Sequence, residues 1–369
     1  MRDSVLHRRY RLGGVTTDYR CAPTGLASLA ERLGGRPAVA VVDRAVVRLH
    51  AERLAAVLRD GDGAPLPRLV VAGGEAAKTV ANLERAWEWL AARRLTRDGV
   101  VVGVGGGAVL DLAGFAAATW QRGVRFVAAP TTLLAAVDAG LGGKTAVDLG
   151  ALKNPVGAFH PATDVLVETD LLGTLTRRDW RCGLAETVKA AVIAAAPLFR
   201  DLEARAPDLA GLLAHGRADR VVPGIADLPW TSWIDGAVRV KGRLVALDFR
   251  EAGPRRALNL GHTLGHALEL QLGLAHGEAV ALGLAAAARL AAARGTCPRR
   301  DADRIVALLA ACGLAVAATP PPRRATAALV AGDKKARGGE VRWVLPLRIG
   351  AVDIDARVGL DDMLAALSG

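Results

Sequence analysis

The sequence predicts two domains: an α/β domain with a mostly parallel sheet over residues 1–176, and a mainly α-helical domain over residues 177–369. Three observations predict this. The length, 369 residues, is about that of two ordinary domains. Up to residue 170, short β-branched runs alternate with Ala/Leu/Arg-rich runs of helical period, as βαβ units require. Beyond residue 176 strand signals nearly vanish until EVRWVLP at 340–346.

Taken in order, AVAVVD (38–43) is apolar throughout and reads as a buried strand, followed by LHAERLAAVLRD (49–60) with helical spacing. RLVVAGG (68–74) is a second strand with a glycine exit, and ANLERAWEWLAARRL (81–95) a helix. GVVVGVGGG (99–107) is a third strand running into glycines, and VRFVAAPTT (124–132) a fourth. In the second domain, 182–194, 196–205, 234–247, 257–271, 277–294 and 301–312 read as helices. The proline-rich TPPPRR (319–324) is a loop inside that domain.

A hydrophobic content of 51% with 23% charged residues excludes wholesale disorder. Aromatics are only 4%, so Ala, Leu and Val must build the core. The formal charge of +11 favours acidic partners such as phosphorylated metabolites. No stretch interleaves dense Lys/Arg with aromatics, which argues against a nucleic-acid surface. Cys21, Cys182, Cys297 and Cys312 are far apart and form no CxxC pair, so they read as free thiols of a reducing compartment. MRDSVLHRRYRLGG has no apolar signal core, and the apolar stretch at 279–294, with Arg289 and Arg294, is too short to span a membrane. The expectation is a cytoplasmic protein with no membrane partner.

Seven of the 48 basic residues are lysine and the remainder arginine. Where a positive charge alone was needed, this chain used arginine. An ammonium is a compact, adjustable point charge that a guanidinium does not replace at a phosphate or a reacting hydroxyl. Lys78, Lys144, Lys153, Lys189, Lys241, Lys334 and Lys335 are therefore candidate site residues as a set.

Two glycine-rich segments suit anionic ligands. In GVGGGAVLDLAG (103–114) a valine strand ends in Gly105, Gly106 and Gly107 and enters a helix, whose N-terminus attracts phosphate. PTTLLAAVDAGLGGKTAVDLGALKNPVGAFHP (130–161) reads as a polar loop system holding Lys144 and Lys153. Its GGKT lacks the upstream glycine of a P-loop, which excludes an NTPase of that kind.

Two further segments suit a metal. In GLAETVK (183–189), Glu186 and Lys189 share a helix face among apolar neighbours, and a buried glutamate needs a cation or a metal. Three of the seven histidines, His262, His266 and His276, fall close together in the apolar LNLGHTLGHALELQLGLAHGEAV (258–280). Three imidazoles with Glu186 available make a metal centre, and Glu/His/His ligation with open positions is a catalytic zinc arrangement. Thr263 follows His262, so HTLGH is not HExxH and a zincin-type protease is excluded. DFREAGPRRALN (248–259), with Lys241, could supply a cationic wall, and GDKKARGGEVRW (332–343) offers a lysine pair before a turn.

Together these segments resemble the sugar phosphate cyclase superfamily and, within it, the dehydroquinate synthases. The stretches that carry the resemblance are GGGAVLDLAGFAAATWQRGVRF, APTTLLAAVDAGLGGKTAVD, KNPVGAFHP, GLAETVK, REAGPRRALNLGHTLGHALE and HGEAVALG, continuous from about residue 70 to 290. The resemblance implies a Rossmann-like N-terminal α/β domain, a helical C-terminal domain and a homodimer. It implies NAD and one divalent metal, zinc or cobalt, as cofactors. It puts the metal on Glu186, His262 and His276, and makes His266 the other active-site histidine, near the phosphate.

NAD contacts carried over by the resemblance are Asp43, Gly74, Glu75, Lys78, Gly106, Gly107, Asp111, Thr131, Thr132, Lys144, Lys153 and the turn from Leu171 to Thr174. Substrate and catalytic roles fall on Asp138, Lys144, Asn154, Glu186, Lys189, Lys241, Arg255, Asn259, His262, His266 and one or both of Lys334 and Lys335, with Arg122 reaching the phosphate from a partner subunit. The implied reaction cyclises a phosphorylated heptulosonate by transient oxidation, phosphate elimination, reduction, ring opening and intramolecular aldol closure, with no net redox change.

Departures from the family pattern include Ala45 where a ribose-contacting Asn is usual, Leu110 for a usual Gly, Pro155, and a poorly matching stretch at 206–233 with LPWTSW. Asn259 and His266 match the dehydroquinate type, and Arg255 with Lys241 suits a substrate carboxylate. The expected substrate is therefore 3-deoxy-arabino-heptulosonate 7-phosphate. The alternatives are an aminodehydroquinate synthase, a sedoheptulose 7-phosphate cyclase and, from another class, an iron-type NAD alcohol dehydrogenase.

Overall fold

The structure, a computed structural model, describes residues 5–150, 152–213, 215–332 and 341–369. The chain divides into two compact units, Met1–Leu175 with Pro229–Ile234, and Thr176–Leu228 with Asp235–Gly369.

In the first unit the strands are β1 (Leu6–Leu12), β2 (Val15–Ala22), β3 (Ala38–Asp43), β4 (Arg68–Val71), β5 (Val100–Gly105), β6 (Arg125–Pro130), β7 (Lys144–Leu149), β8 (Leu152–Phe159) and β9 (Asp164–Glu168). Seven of them form one sheet in the order β1-β2-β9-β6-β5-β3-β4, parallel except for β1 at the edge. β3 and β5 are buried almost end to end, which explains why they carry valine on both faces rather than alternating. Leu26, Leu29, Leu33, Leu54 and Leu58 pack on Ala40, Val42, Val100, Val102 and Val104, closing the core on one face.

The five successive parallel strands β3, β4, β5, β6 and β9 run 2-1-3-4-5 across the sheet, a doubly wound order. The winding reverses between β3 and β5. Ligands of such sheets bind outside the carboxyl ends of the strands at that reversal. Asp43 ends β3 there, and Gly105, Gly106 and Gly107 lead from β5 into the helix Gly107–Thr119.

Three local expectations are corrected. The helix expected over 49–60 is shorter, Ala51–Val57, and an unexpected helix, Arg44–Leu49, precedes it across a non-helical backbone at His50. The supposed loop system around GGKT and KNPVG is largely a two-stranded antiparallel hairpin, β7 with β8, turning at Gly150 (φ 58°). The helix expected over 257–271 is a 3-10 turn, Pro254–Asn259, and a helix, His262–Leu272, separated by Gly261 at φ 77°.

The second unit is helical: Arg177–Ala194, Ala196–Ala204, Ala206–Leu213, most of Trp230–Leu247, His262–Leu272, His276–Ala293, Arg299–Ala311, Arg323–Gly332 and Leu360–Leu367, with one hairpin of β10 (Trp343–Arg348) and β11 (Ala351–Ala356). The Ala-rich helix His276–Ala293 is buried along most of its length. Small residues let its neighbours approach closely. A Cβ on Gly277 would run into the backbone of Cys182, and one on Gly283 into the Gly261 carbonyl. The LPWTSW stretch proves to be core: Trp230 and Trp233 are buried edge to face, with ring centroids 5.0 Å apart. Among the described residues, no helix is long and apolar enough to cross a membrane.

Candidate active site

The helix Arg177–Ala194 begins with a capping box between Thr176 and Asp179 and buries Glu186 and Lys189 three turns in. The Lys189 Nζ lies 2.5 Å from Glu186 Oε2. Both side chains are almost wholly excluded from solvent, at 2% and 1% exposure. The other carboxylate oxygen, Oε1, lies 3.4 Å from His262 Nε2 and 3.4 Å from His276 Nε2.

His262 opens one helix and His276 the next, and the glycine contacts described above hold those helices and the Glu186 helix close. A carboxylate oxygen and two imidazole nitrogens thus lie within 4.8 Å of one another. That donor set fits a divalent cation such as zinc, with three protein ligands and positions left open.

Each histidine is oriented through its second nitrogen. His262 Nδ1 donates to the Leu260 carbonyl at 3.1 Å, and His276 Nδ1 faces Glu269 Oε2 at 3.2 Å. Both leave Nε2 for the common centre. Burial disfavours the charged form of His276, but hydrogen bonds and charge from Glu186 and Glu269 outweigh it and push its pKa up to about 9. His266, on the same helix face as His262, has its ring centroid 5.4 Å from that of His262 and 6.0 Å from that of His276. It borders the triad, is exposed, and is not one of the three convergent donors.

The same unit buries two more cations, Lys241 and Arg255, at 6% and 3% exposure. Arg255 Nη1 donates to the Phe249 carbonyl at 2.5 Å. The loop before it closes on Asp248, whose carboxylate accepts from the backbone N–H groups of Ala252, Gly253 and Arg255 at 2.9, 2.6 and 3.2 Å. Asn259 donates from Nδ2 to Glu251 Oε1 at 2.8 Å. Lys334 and Lys335 lie outside the described residues.

In the first unit, Asp43 Oδ1 accepts from Ala45 N at 2.7 Å, capping the following helix. A Cβ on Gly73 would run into the same carboxylate, so the β3 and β4 ends meet there. Gly74 is left-handed at φ 68° and leads into Glu75. Gly106 lies against Thr132, which caps its own helix by accepting from Ala135 N at 3.1 Å, and Thr131 N donates to the Gly105 carbonyl at 3.0 Å.

Lys78 is buried, pairs with Asp111 at 2.7 Å and hydrogen-bonds Asn154 Oδ1. Asn154 sits at φ 55°, and its N–H donates to Asp148 Oδ1 at 2.7 Å. Lys153 lies 3.7 Å from Glu75. Thr174 Oγ1 meets His50 Nε2 at 2.8 Å and donates to the Leu171 carbonyl at 3.1 Å. Lys144 and Arg122 are exposed, and Asp138 is half-buried at the end of a short helix.

Four supporting acids escaped the sequence reading: Asp148, Asp248, Glu251 and Glu269. Only Glu269 carried a usable signal, since it lies seven residues from both His262 and His276, two helical turns along the first helix.

A glycine-lined reversal in one unit and a carboxylate–bis-imidazole centre in the other are the equipment of an enzyme. Comparison with known proteins narrows that class. Residues 68–182 match the family model described as 3-dehydroquinate synthase N-terminal, and residues 183–336 match 3-dehydroquinate synthase C-terminal. The 3-dehydroquinate synthase of a Ruegeria species is 40% identical, covering 96% of this chain and 95% of that protein. The 2-epi-valiolone synthase of Actinosynnema mirum is also 40% identical, covering 92% of this chain and 87% of that one.

The solved structure of a 2-epi-5-epi-valiolone synthase from Streptomyces hygroscopicus, with NAD+ and Zn2+ bound, superposes with a TM-score of 0.83 at 29% identity over 95% of each chain. The chain belongs to the 3-dehydroquinate synthase family.

Proposed function

We propose that this protein is a 3-dehydroquinate synthase, which cyclises 3-deoxy-arabino-heptulosonate 7-phosphate to 3-dehydroquinate and releases phosphate. The observation that carries the reading is the convergence of Glu186, His262 and His276 in a unit that also buries Lys189, Lys241 and Arg255. A simple alcohol would need no such set of buried cations, whereas a carboxylated sugar phosphate does.

A zinc or cobalt ion held by that triad would supply Lewis acidity towards neighbouring sugar hydroxyls. NAD, held by Asp43, Gly74, Glu75, Lys78, Gly106, Gly107, Asp111, Thr131, Thr132, Lys144, Lys153 and the turn from Leu171 to Thr174, would supply reversible hydride acceptance. The glycines admit a pyrophosphate close to the backbone, at the start of the Gly107–Thr119 helix. Asp43 suits a ribose hydroxyl at the β3 end.

The chain's own side chains bind and orient. Arg255, fixed by its loop, pairs with the substrate carboxylate, and Asn259, held by Glu251, fixes a hydroxyl. Lys189 pairs with Glu186 and offers further donors to the substrate. Lys144, Lys241, His266, Asp138, Asn154 and the Lys334/Lys335 pair serve the phosphate and ring hydroxyls. Ammonium groups beside the departing phosphate stabilise the dianion.

The same reading makes the protein a cytoplasmic homodimer of the shikimate pathway, with Arg122 lent across subunits. A second reading, cyclisation of a different heptulose phosphate, draws on the equal identity to the 2-epi-valiolone synthase.

The deciding experiment measures inorganic phosphate released by the metal-loaded protein with catalytic NAD, offered the heptulosonate phosphate and sedoheptulose 7-phosphate separately. Release from the heptulosonate alone, without net NADH, is the expected result. Release from sedoheptulose 7-phosphate alone selects the second reading. Accumulation of NADH without phosphate would overturn both in favour of a dehydrogenase.

A further inference from the structure

Glu269 has no role in the proposed reaction, yet its carboxylate is hydrogen-bonded to a histidine of the triad. It lies two helical turns beyond His262 on the same helix and is only 12% exposed. Its Oε2 faces His276 Nδ1 at 3.2 Å, while His276 Nε2 points at Glu186 Oε1.

The two triad histidines are thus oriented differently. His262 Nδ1 is held by a neutral backbone carbonyl two residues before it, a partner that no side-chain change removes. His276 Nδ1 is held by a charged side chain from a different helix.

We infer that Glu269 is a positioning residue for the metal centre: its carboxylate accepts the Nδ1 proton of His276, fixes the ring with Nε2 towards Glu186, and raises the donor strength of that nitrogen. The physical reason is general. An imidazole whose far N–H donates to an anion places more electron density on its ligating nitrogen and cannot rotate away from the ion. His276 needs this more than His262 does. Both histidines open their helices, but the His276 side chain is 34% exposed against 11% for His262. Packing alone restrains it less, so the hydrogen bond carries more of the orientation.

The inference rests on the metal reading of Glu186, His262 and His276, and its test separates the two. Metal-free wild-type protein, Glu269→Gln and Glu269→Ala are titrated with zinc against a chromophoric chelator, and their cobalt(II) forms are compared by visible absorption. No substrate is present.

Glu269→Gln keeps an acceptor without its charge, and Glu269→Ala removes both. The expected result is a graded loss of zinc affinity, up to about 10–100-fold in the alanine variant, with an altered cobalt spectrum in both. Thermal unfolding of the metal-free proteins identifies any variant that fails to fold, and the near-isosteric glutamine variant then carries the comparison alone.

Wild-type protein that binds zinc, with the variants within about twofold of it and an unchanged cobalt spectrum, overturns the role of Glu269 and leaves the metal centre standing. Wild-type protein that binds no divalent ion overturns both.

Discussion

Lys189 and Glu186 form an ion pair with almost no solvent access to either partner. Breaking a buried pair leaves an uncompensated charge, which costs about 3–5 kcal/mol. Lys189→Met should therefore lower the stability of the metal-free protein by about that amount, read from denaturant unfolding. Because a divalent cation would neutralise the same carboxylate, zinc should restore more stability to this variant than to the wild type. Equal zinc effects in the two proteins would show that Glu186 does not face the ion.

The four cysteines make a second residue-level case. All are buried. Burial pushes the Cys312 thiol up to about 12, and burial with the nearby Glu278 charge pushes Cys182 up to about 11. Thiolate is the reactive form, so an aromatic disulfide reagent at neutral pH should modify none of the four rapidly in the native protein and all four after denaturation. Rapid native labelling of Cys182 or Cys312 would contradict their packing.

At the scale of elements, the site depends on how closely three helices approach. Gly277 follows His276 of the triad, and a Cβ there would strike the backbone of Cys182, four residues before Glu186. Gly277→Ala should cost about 1–3 kcal/mol by overpacking. It should also weaken zinc binding, because the displaced helix start carries His276. Unfolding and chelator competition test the two effects separately.

The loop that presents Arg255 is a second element with a measurable dependence. Burial pushes the Asp248 carboxyl up, but three backbone N–H donors and the Arg255 charge outweigh it, leaving it below the usual range. A carboxylate depressed on folding stabilises the fold above its unfolded pKa and loses that contribution as pH falls through the folded value. Asp248→Asn should flatten the acid limb of the stability profile below about pH 4, the ordinary carboxylate range. An unchanged acid limb would mean that Asp248 contributes little to holding the loop.

Elements were legible where burial is uniform. β3, up to Asp43, and β5 are runs of Val, Ala and Gly because both faces are covered. The β1–β2 hairpin was not legible. It is an edge whose outward positions carry His7, Arg9 and Arg11, while Arg8 is half-buried on the opposite face, and charge on both faces masks the alternation while discouraging unwanted pairing. β7 and β8 read as loop because glycines flank β7 and Lys153, Asn154, Pro155 and Gly157 interrupt β8, yet Thr145 and Val147 alternate inward and hold the hairpin.

The lysines and the histidine cluster stood out because the composition made them rare. Glu269 and Asp248 did not, because an acid's partner is set by the rotation of one helix against another, or by a loop closing on itself, and neither is written in local spacing.

On the scale of the whole molecule, the two cofactors of the proposed reaction call on different units. NAD contacts are assigned to β3, the β5–helix junction and neighbouring turns, all within the first unit, and the metal triad lies within the second. A ligand that binds only the native state stabilises it by RT ln(1 + [L]/Kd), about 2.7 kcal/mol at a hundredfold excess over Kd. Hydrogen exchange reports where that stabilisation is felt, since protection rises first in segments whose local opening exposes the site.

Zinc added to the metal-free protein should slow exchange in 177–194 and 262–293, and NAD should slow it in 38–45 and 100–119. Removing the metal with a chelator should return these three helices to the faster regime while the β3 and β5 segments keep their NAD protection. Protection by zinc centred on 38–45 would place the ion in the wrong unit. Protection by NAD confined to 262–293 would do the same for the nucleotide. Either result would separate family membership, which rests on the whole chain, from the assignment of roles to its residues.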